Sequence, residues 1–158
     1  MKIYRLKRIQ RLPFPVTDVF SFFEQPKNLE KLTPHFLQFQ TLTPTAVKMD
    51  TGAVIDYVLK VWSFPIRWTT LITDYHPPYS FIDLQLKGPY AYWHHQHSFE
   101  ALDNRTIMKD CVTYALPLGC LGELFHRLKI ESDLNKIFDY RAAAVLKHLK
   151  KISPSAVD

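Results

Sequence analysis

The apolar residues in the last quarter of the chain constrain its fold more than any other feature. Between Gly119 and about Lys151 they fall at Leu121, Leu124, Phe125, Leu128, Leu134, Phe138, Ala142, Val145, Leu146 and Leu149, with Ile152 just beyond. Gaps of three and four describe an apolar stripe on a helix, not a strand. Glu123 in the first turn and Lys147, His148, Lys150 and Lys151 in the last two suit the helix dipole. Pro117 and Gly119 punctuate the entry, and Ser153-Pro154 ends the run. At about 1.5 Å per residue the helix would be roughly 48 Å long. A helix of that length needs something to cover its stripe, and the upstream chain must supply it.

A chain of 158 residues is the size of one domain, and 47% hydrophobic with four glycines is a globular composition. We expect one domain over residues 1–158, with 152–158 as a loose tail. The net charge of +5 is concentrated at Lys2, Arg5, Lys7, Arg8 and Arg11 and at the helix end. Neither patch interleaves with exposed aromatic residues as a stacking platform would, so they read as a charged edge strand and a dipole-matched helix terminus rather than as a nucleic-acid surface. Cys111 and Cys120 form neither a disulfide framework nor a metal motif. The N-terminal residues contain no apolar leader core, and no run approaches eighteen apolar residues. The expectation is a soluble, reduced, cytoplasmic protein without cofactor, nucleic-acid partner or stable membrane insertion.

Upstream, Ile3–Leu12 reads as a strand ended by Pro13 and Pro15. Thr17 or Asp18 could cap a short helix over Val19–Glu24, and Pro26 opens a second one that Thr33-Pro34 stops. Phe36 to about Lys48 reads as extended chain broken by Pro44. From Gly52 the period changes to two. Strands are predicted around Ile55–Val61, Arg67–Tyr75, Ser80–Lys87, Tyr92–Ala101 and Thr106–Ala115, separated by Pro, Gly, Asn and Asp turns. This order gives an α+β fold, a curved antiparallel sheet of about six or seven strands closed by the C-terminal helix.

Several strings recur in a known order. They are Leu12-Pro-Phe-Pro-Val16, Val19-Phe20 with Phe22-Phe23, Asn28-Leu29, Leu32-Thr33-Pro34, Arg67-Trp68, Phe81-x-Asp83 and Gly88-Pro89. Trp93-x-His95-x-His97-x-Phe99, Asp110-x-Val112-x-Tyr114, Pro117-x-Gly119 and Phe138-x-Tyr140-Arg141 follow. Over nearly the whole chain this resembles the START-like helix-grip superfamily (SRPBCC), in the branch with polyketide cyclases and coenzyme Q-binding proteins. The resemblance implies a helix-grip fold with a cavity between sheet and long helix that holds a lipophilic molecule in many relatives. It does not settle activity, because carriers, receptors, cyclases and hydrolases share the scaffold. Candidate wall residues are Phe23, Leu32, Tyr57, Leu59, Trp68, Ile72, Trp93, Phe99, Val112, Leu128, Leu134 and Phe138; they could equally fill a solid core.

Alternation along Tyr92–Glu100 puts Trp93, His95, His97 and Phe99 on one face, which their bulk turns inward. A four-residue connection over Asp103–Thr106 would pair Phe99 with Asp110, His97 with Val112 and His95 with Tyr114. A three-residue loop over Gly88–Tyr90 would set Asp83 opposite His95 and Gln85 opposite Trp93. That phase turns Ile82, Leu84 and Leu86 outward; a one-residue slip would reverse it and leave Asp83 in solvent. The phase of the family strings favours Asp83 inward.

Ligand contacts are therefore expected from Trp68, Asp83, Gln85, Trp93, His95, His97, Phe99, Asp110, Val112, Tyr114 and Phe138. Three uses of the polar members follow. His95-x-His97 with a carboxylate could hold zinc or iron, but the pattern is unspecific and the relatives are not generally metalloproteins, so no metal is expected. His95, His97, Asp83 and Asp110 could act as acid and base in a cyclase, dehydratase or hydrolase, although no activated nucleophile is evident. The same groups could anchor the polar end of an apolar ligand, or simply satisfy one another inside the sheet. The leading expectation is binding or carriage of a hydrophobic or aromatic small molecule. An enzyme is the alternative. An interaction domain presenting the Ile82/Leu84/Leu86 row, with a dimer or another domain as partner, is the third.

Overall fold

The computed structural model describes residues 1–44, 47–61 and 63–152. Strand β1 spans Tyr4–Leu12 and alternates half-buried with exposed residues until Leu12, which is buried. Helix α1 spans Val16–Phe23 and starts three residues earlier than the sequence suggests. Neither Thr17 nor Asp18 is its cap: Pro15 holds that position, and the backbone N–H groups of Asp18 and Val19 both donate to the Pro15 carbonyl at 3.1 Å. Proline's fixed φ presets this entry without a side-chain cap. The helix buries Val19, Phe20, Phe22 and Phe23.

A 3₁₀ turn at Pro26–Asn28 opens into α2, Leu29–Leu32. Buried Asn28 ties the two helices together by donating from Nδ2 to the Phe22 carbonyl at 2.7 Å. Another 3₁₀ turn, His35–Leu37, leads to the two-residue strand β2, Gln40–Thr41. The remainder of the expected extended segment includes Thr45 and Ala46, which lie outside the described residues.

Strands β3 (Val54–Val61), β4 (Phe64–His76), β5 (Ser80–Lys87), β6 (Tyr92–Leu102) and β7 (Arg105–Ala115) then follow as a meander. The seven-stranded antiparallel sheet has the order β1-β7-β6-β5-β4-β3-β2, so the first strand closes onto the last. The ladder between β4 and β5 is interrupted between Thr69 and Thr70 and between Ile72 and Asp74. Bulges of this kind bend the bulged strand and increase its twist.

The C-terminal segment is helical from Gly119 to Ile152 in three parts: α3 (Gly119–Phe125), a π-helical segment (His126–Ile130) and α4 (Glu131–Ile152). The expected continuous stripe holds only in α4, where Leu134, Phe138, Val145 and Leu149 are buried. Leu121, Leu124, Phe125 and Leu128 are all exposed, so Leu128 is not a wall residue. The reason is the six-residue gap from Leu128 to Leu134. At about 100° per residue it turns the second set of apolar side chains well away from the first. The face that α3 and the π segment bury is carried instead by Gly122 and His126. A Cβ on Gly122 would stand 2.2 Å from the Pro117 carbonyl oxygen, so only glycine permits that approach. His126 stacks on Tyr4 at 3.5 Å between centroids, and its Nε2 lies 2.8 Å from the Tyr114 hydroxyl. Residue 142 also differs from expectation: buried Arg141, not Ala142, occupies the inward position between Phe138 and Val145. Ile152 ends α4; the rest of the expected tail lies outside the described residues.

Two apolar clusters fill the space between sheet and helices. One joins α1 to the C-terminal half of α4 through Phe14, Phe20, Phe22, Phe81, Phe99, Val145 and Leu149. The other joins the N-terminal half of α4 to the sheet through Leu59, Trp68, Trp93, Val112, Leu134 and Phe138. No helix among the described residues is long and apolar enough to cross a membrane.

Candidate functional site

The two clusters leave a hollow between sheet and helices, lined by residues of both. A cavity of about 570 Å³ lies between the sheet, α2 and the N-terminal half of α4, within the usual size range of small-molecule pockets. Phe23, Leu32, Tyr57, Leu59, Trp68, Ile72, Trp93, Leu134 and Phe138 line it, as do Asp83, His95, His97 and Arg141. Exposed Phe36 and the side chains of Lys60, Lys129 and Lys136 also border it. Five residues expected to touch a ligand do not line the cavity: Gln85, Phe99, Asp110, Val112 and Tyr114. Phe99 and Val112 are buried in the two cores. Gln85 Nε2 donates to the Tyr90 carbonyl at 2.8 Å, Tyr114 is engaged with His126, and Asp110 lies behind the histidines.

Register explains how the polar groups meet. Asp83 pairs with His95 as expected, and the ladder stops at Leu84–His94, one step short of a Gln85–Trp93 pair. Between β6 and β7 the pairing is two residues tighter than expected: Phe99 faces Met108, His97 faces Asp110, His95 faces Val112 and Trp93 faces Tyr114. The ladder runs on to Leu102–Arg105, leaving only Asp103 and Asn104 to turn, with Asp103 at φ 51°. A two-residue shift preserves the face of every side chain, so the inward set is unchanged. Asp83 is inward, and the outward row comprises half-buried Ile82 and Leu84 with exposed Leu86.

The resulting cluster crosses three strands. His95 Nε2 lies 2.8 Å and His97 Nδ1 3.0 Å from the same oxygen, Asp110 Oδ1. On the cavity side Asp83 Oδ2 lies 2.9 Å from His97 Nε2 and 3.4 Å from His95 Nδ1. The two imidazoles are 3.7 Å apart between centroids, and Phe81 stacks on His97 at 4.1 Å. Arg141 reaches down from α4 between Phe23 and Phe138, with its guanidinium carbon 5.1 and 5.8 Å from their rings. Its Nη2 lies 3.8 Å from Asp110 Oδ1 and 3.4 Å from His97 Nδ1. With His97 protonated both of these nitrogens are donors, so the guanidinium serves Asp110.

Burial favours the neutral form of every group here, and the neighbours decide which groups resist it. For His97 burial is outweighed by hydrogen bonds to Asp110 and Asp83, and its pKa is raised. For His95 burial and the charge of His97 prevail over the two carboxylates, and its pKa is lowered. Burial would raise Asp83, but the charges of His95, His97 and Arg141 and the His97 hydrogen bond pull it down. Arg141 and both histidines hold Asp110 well below the usual carboxylate range against the same penalty. The site is thus two carboxylates, one guanidinium and two imidazoles, of which His97 is the one whose charged form is favoured.

No protein-family model and no curated protein sequence matches the chain. Solved structures do. The Zhui aromatase/cyclase from Streptomyces sp. R1128 superposes with a TM-score of 0.78 at 15% identity, covering 99% of both chains. The chain has the START-like helix-grip fold. A START superfamily protein from Mycobacterium smegmatis matches at TM-score 0.70 and 9% identity, over 94% of this chain and 98% of that one. Norcoclaurine synthase of Thalictrum flavum, in complex with a transition-state analogue, matches at 0.64 and 13%, over 93% and 96%.

Within the helix grip, Arg141 is the residue that sequence reasoning passed over as a site. Its signal was available: it falls three positions after Phe138 and four before Val145, a charge in the middle of an apolar stripe. Thr70 was missed too; its Oγ1 lies 3.1 Å from the Tyr57 hydroxyl at the cavity wall. Burial, then the nearby Asp83 charge, raises the Tyr57 pKa well above its ordinary value, so that hydroxyl stays protonated.

Proposed function

We propose that this chain, acting as one domain, binds a hydrophobic or aromatic small molecule of the lipid, quinone or polyketide type in the helix-grip cavity. The observation that carries this reading is a largely apolar cavity with a polar cluster on its wall, half-buried Asp83 with buried His95, His97 and Arg141. Apolar area would supply affinity, and the cluster would fix orientation. Trp68 Nε1 and Arg141 Nε are buried donors without a protein partner among the described residues, and both belong to residues lining the cavity. An oxygen-bearing ligand would satisfy such donors, since buried polar groups are rarely left unpaired. Trp93 and Phe138 would pack against the ring or chain, and Asp110 would hold the histidines. The free cysteines Cys111 and Cys120 suit a reducing cytoplasm.

A cyclase, dehydratase or hydrolase is the second reading. It is favoured by two cavity-lining histidines whose pKa values are displaced in opposite directions, the arrangement that separates an acid from a base. In it His97 donates a proton and neutral His95 receives one. Resemblance to an aromatase/cyclase supports this reading without choosing a substrate.

Native mass spectrometry of the purified protein, followed by organic extraction, tests the proposal. A stoichiometric lipophilic molecule is expected. A protein that is empty and also fails to bind quinones, fatty acids and polyketide-like aromatics contradicts it. Turnover of a bound molecule that is lost in His95→Ala while binding is kept selects the enzyme.

A further inference from the structure

We infer that Asp83, His95 and His97 form a binding site for a divalent transition-metal ion, with Asp110 as the residue that positions both imidazoles. Ligand atoms of the three residues all lie within 4.8 Å of one another. The inference rests on these separations and does not require the proposed organic ligand to be present.

The two separations from Asp83 to the histidines suit a metal. Ligands about 2.1 Å from an ion stand ~3.0 Å apart at right angles and ~3.4 Å apart at tetrahedral angles. Asp83 Oδ2 is 2.9 Å from His97 Nε2 and 3.4 Å from His95 Nδ1, at the two ends of that range. All three residues sit on neighbouring strands β5 and β6, whose register fixes their relative positions. Rigid elements of this kind hold a ligand set better than loops do.

The opposite edges of the imidazoles are equally suitable. His95 Nε2 and His97 Nδ1 both approach Asp110 Oδ1, at 2.8 and 3.0 Å. A carboxylate accepting the N–H of a metal-bound histidine fixes its tautomer and orientation, and here one carboxylate would do so for two. With both imidazoles neutral, the two carboxylates outnumber the single guanidinium, so the cluster attracts a cation. Arg141 lies against Asp110 rather than between the three ligand atoms, and balances that carboxylate.

Two imidazoles and one carboxylate suit zinc, iron(II), cobalt(II) or nickel(II) better than calcium or magnesium, which prefer all-oxygen shells. Because Asp83, His95 and His97 all line the cavity, the remaining coordination positions of the ion would open onto it. A bound molecule's carbonyl or hydroxyl oxygen could take one of them.

Cobalt(II) titration of the full-length protein, first stripped with chelator and extracted of lipophilic material, tests the site. One equivalent is expected to bind and give visible d–d bands, and zinc is expected to displace it. His95→Ala and His97→Ala should abolish the bands. Asp110→Asn should weaken binding by about 10–100-fold, the usual effect of removing a carboxylate behind a metal-bound histidine. Circular dichroism shows whether each variant is folded, and His95→Gln and His97→Gln provide milder versions. The surface variant His76→Ala should bind cobalt as the parent does. A folded parent that binds no cobalt, or whose bands survive in folded His95 and His97 variants, overturns the inference. Lipophilic ligand uptake without cobalt binding would leave the proposed function standing and remove the metal site; cobalt binding without ligand uptake would do the reverse.

Discussion

Removing the Asp110 carboxylate should be among the most damaging single changes to the metal-free protein. One of its oxygens accepts from His95 at 2.8 Å and His97 at 3.0 Å, with Arg141 3.8 Å away, and the side chain is 8% exposed. In Asp110→Ala the Arg141 guanidinium and the proton on His97 lose their shared counter-charge inside the protein. Breaking a buried charge pair from one side costs about 3–5 kcal/mol. At about 2–4 °C per kcal/mol for a domain of this size, Tm should fall by about 6–20 °C. Asp110→Asn keeps an acceptor at the same place and loses only the charge. Hydrogen bonds to charged groups are worth ~1.5–3 kcal/mol against ~1 for neutral ones, so two such bonds should lose about 1–4 kcal/mol. Urea denaturation of the two variants, with equal m-values, measures both. The expected order is parent, then Asn, then Ala. An alanine variant within about 0.5 kcal/mol of the parent would refute the view that these five side chains compensate one another's burial.

Other outcomes follow from the same geometry. Leu149→Ala should cost about 2–5 kcal/mol by opening a hole beneath α4. Leu121→Ala and Leu128→Ala should change stability by less than about 0.5 kcal/mol, because both side chains are exposed; denaturation curves of the three variants decide it. In the metal-free protein, nitrogen-detected NMR should find His97 charged at a pH where His95 is already neutral. The signs for stability differ by group. His97, with its pKa raised, contributes fully below its ordinary value of 6.5 and loses that contribution as pH rises through the folded value. His95 is lowered, so the unfolded chain takes up its proton first and stability falls as pH drops below 6.5. Asp83 and Asp110 contribute above 3.8 and lose that contribution as pH falls through their folded values. Denaturation midpoints measured across pH should fall on the acid side through His95 and the aspartates, and on the alkaline side through His97.

Much of the fold was readable because its signals are local and periodic. The alternation of Trp93, His95, His97 and Phe99 located the inward face of β6, and that face survived a two-residue error in pairing. The error arose where pairing depends on turn length: a sequence does not say whether Leu102 and Arg105 still pair across Asp103-Asn104. The C-terminal stripe misled because a helical period can be satisfied on two different faces, and Leu128 and Leu134 are on different ones. Asp83, His95 and His97 were recognisable as candidates through strand phase. The contact of Arg141 with His97 and Asp110 was not, since it joins strand to helix across the core and has no spacing in the sequence. Gln85 and Tyr114 found partners in their own neighbourhoods, at Tyr90 and His126, which alternation alone does not reveal.

The central claim is that a lipophilic molecule occupies the cavity with its polar end at the Asp83–His95–His97–Arg141 cluster. NMR titration of the extracted, metal-free protein with a quinone, a fatty acid and an aromatic polyketide-like compound tests it most directly, read at histidine side-chain nitrogens and tryptophan indole N–H groups. The account predicts saturable shifts of His95, His97, Trp68 and Trp93 with at least one compound, while His76 and His148 stay unmoved. Saturable binding that leaves all four of those residues unshifted, or binding read only at exposed histidines, would contradict it.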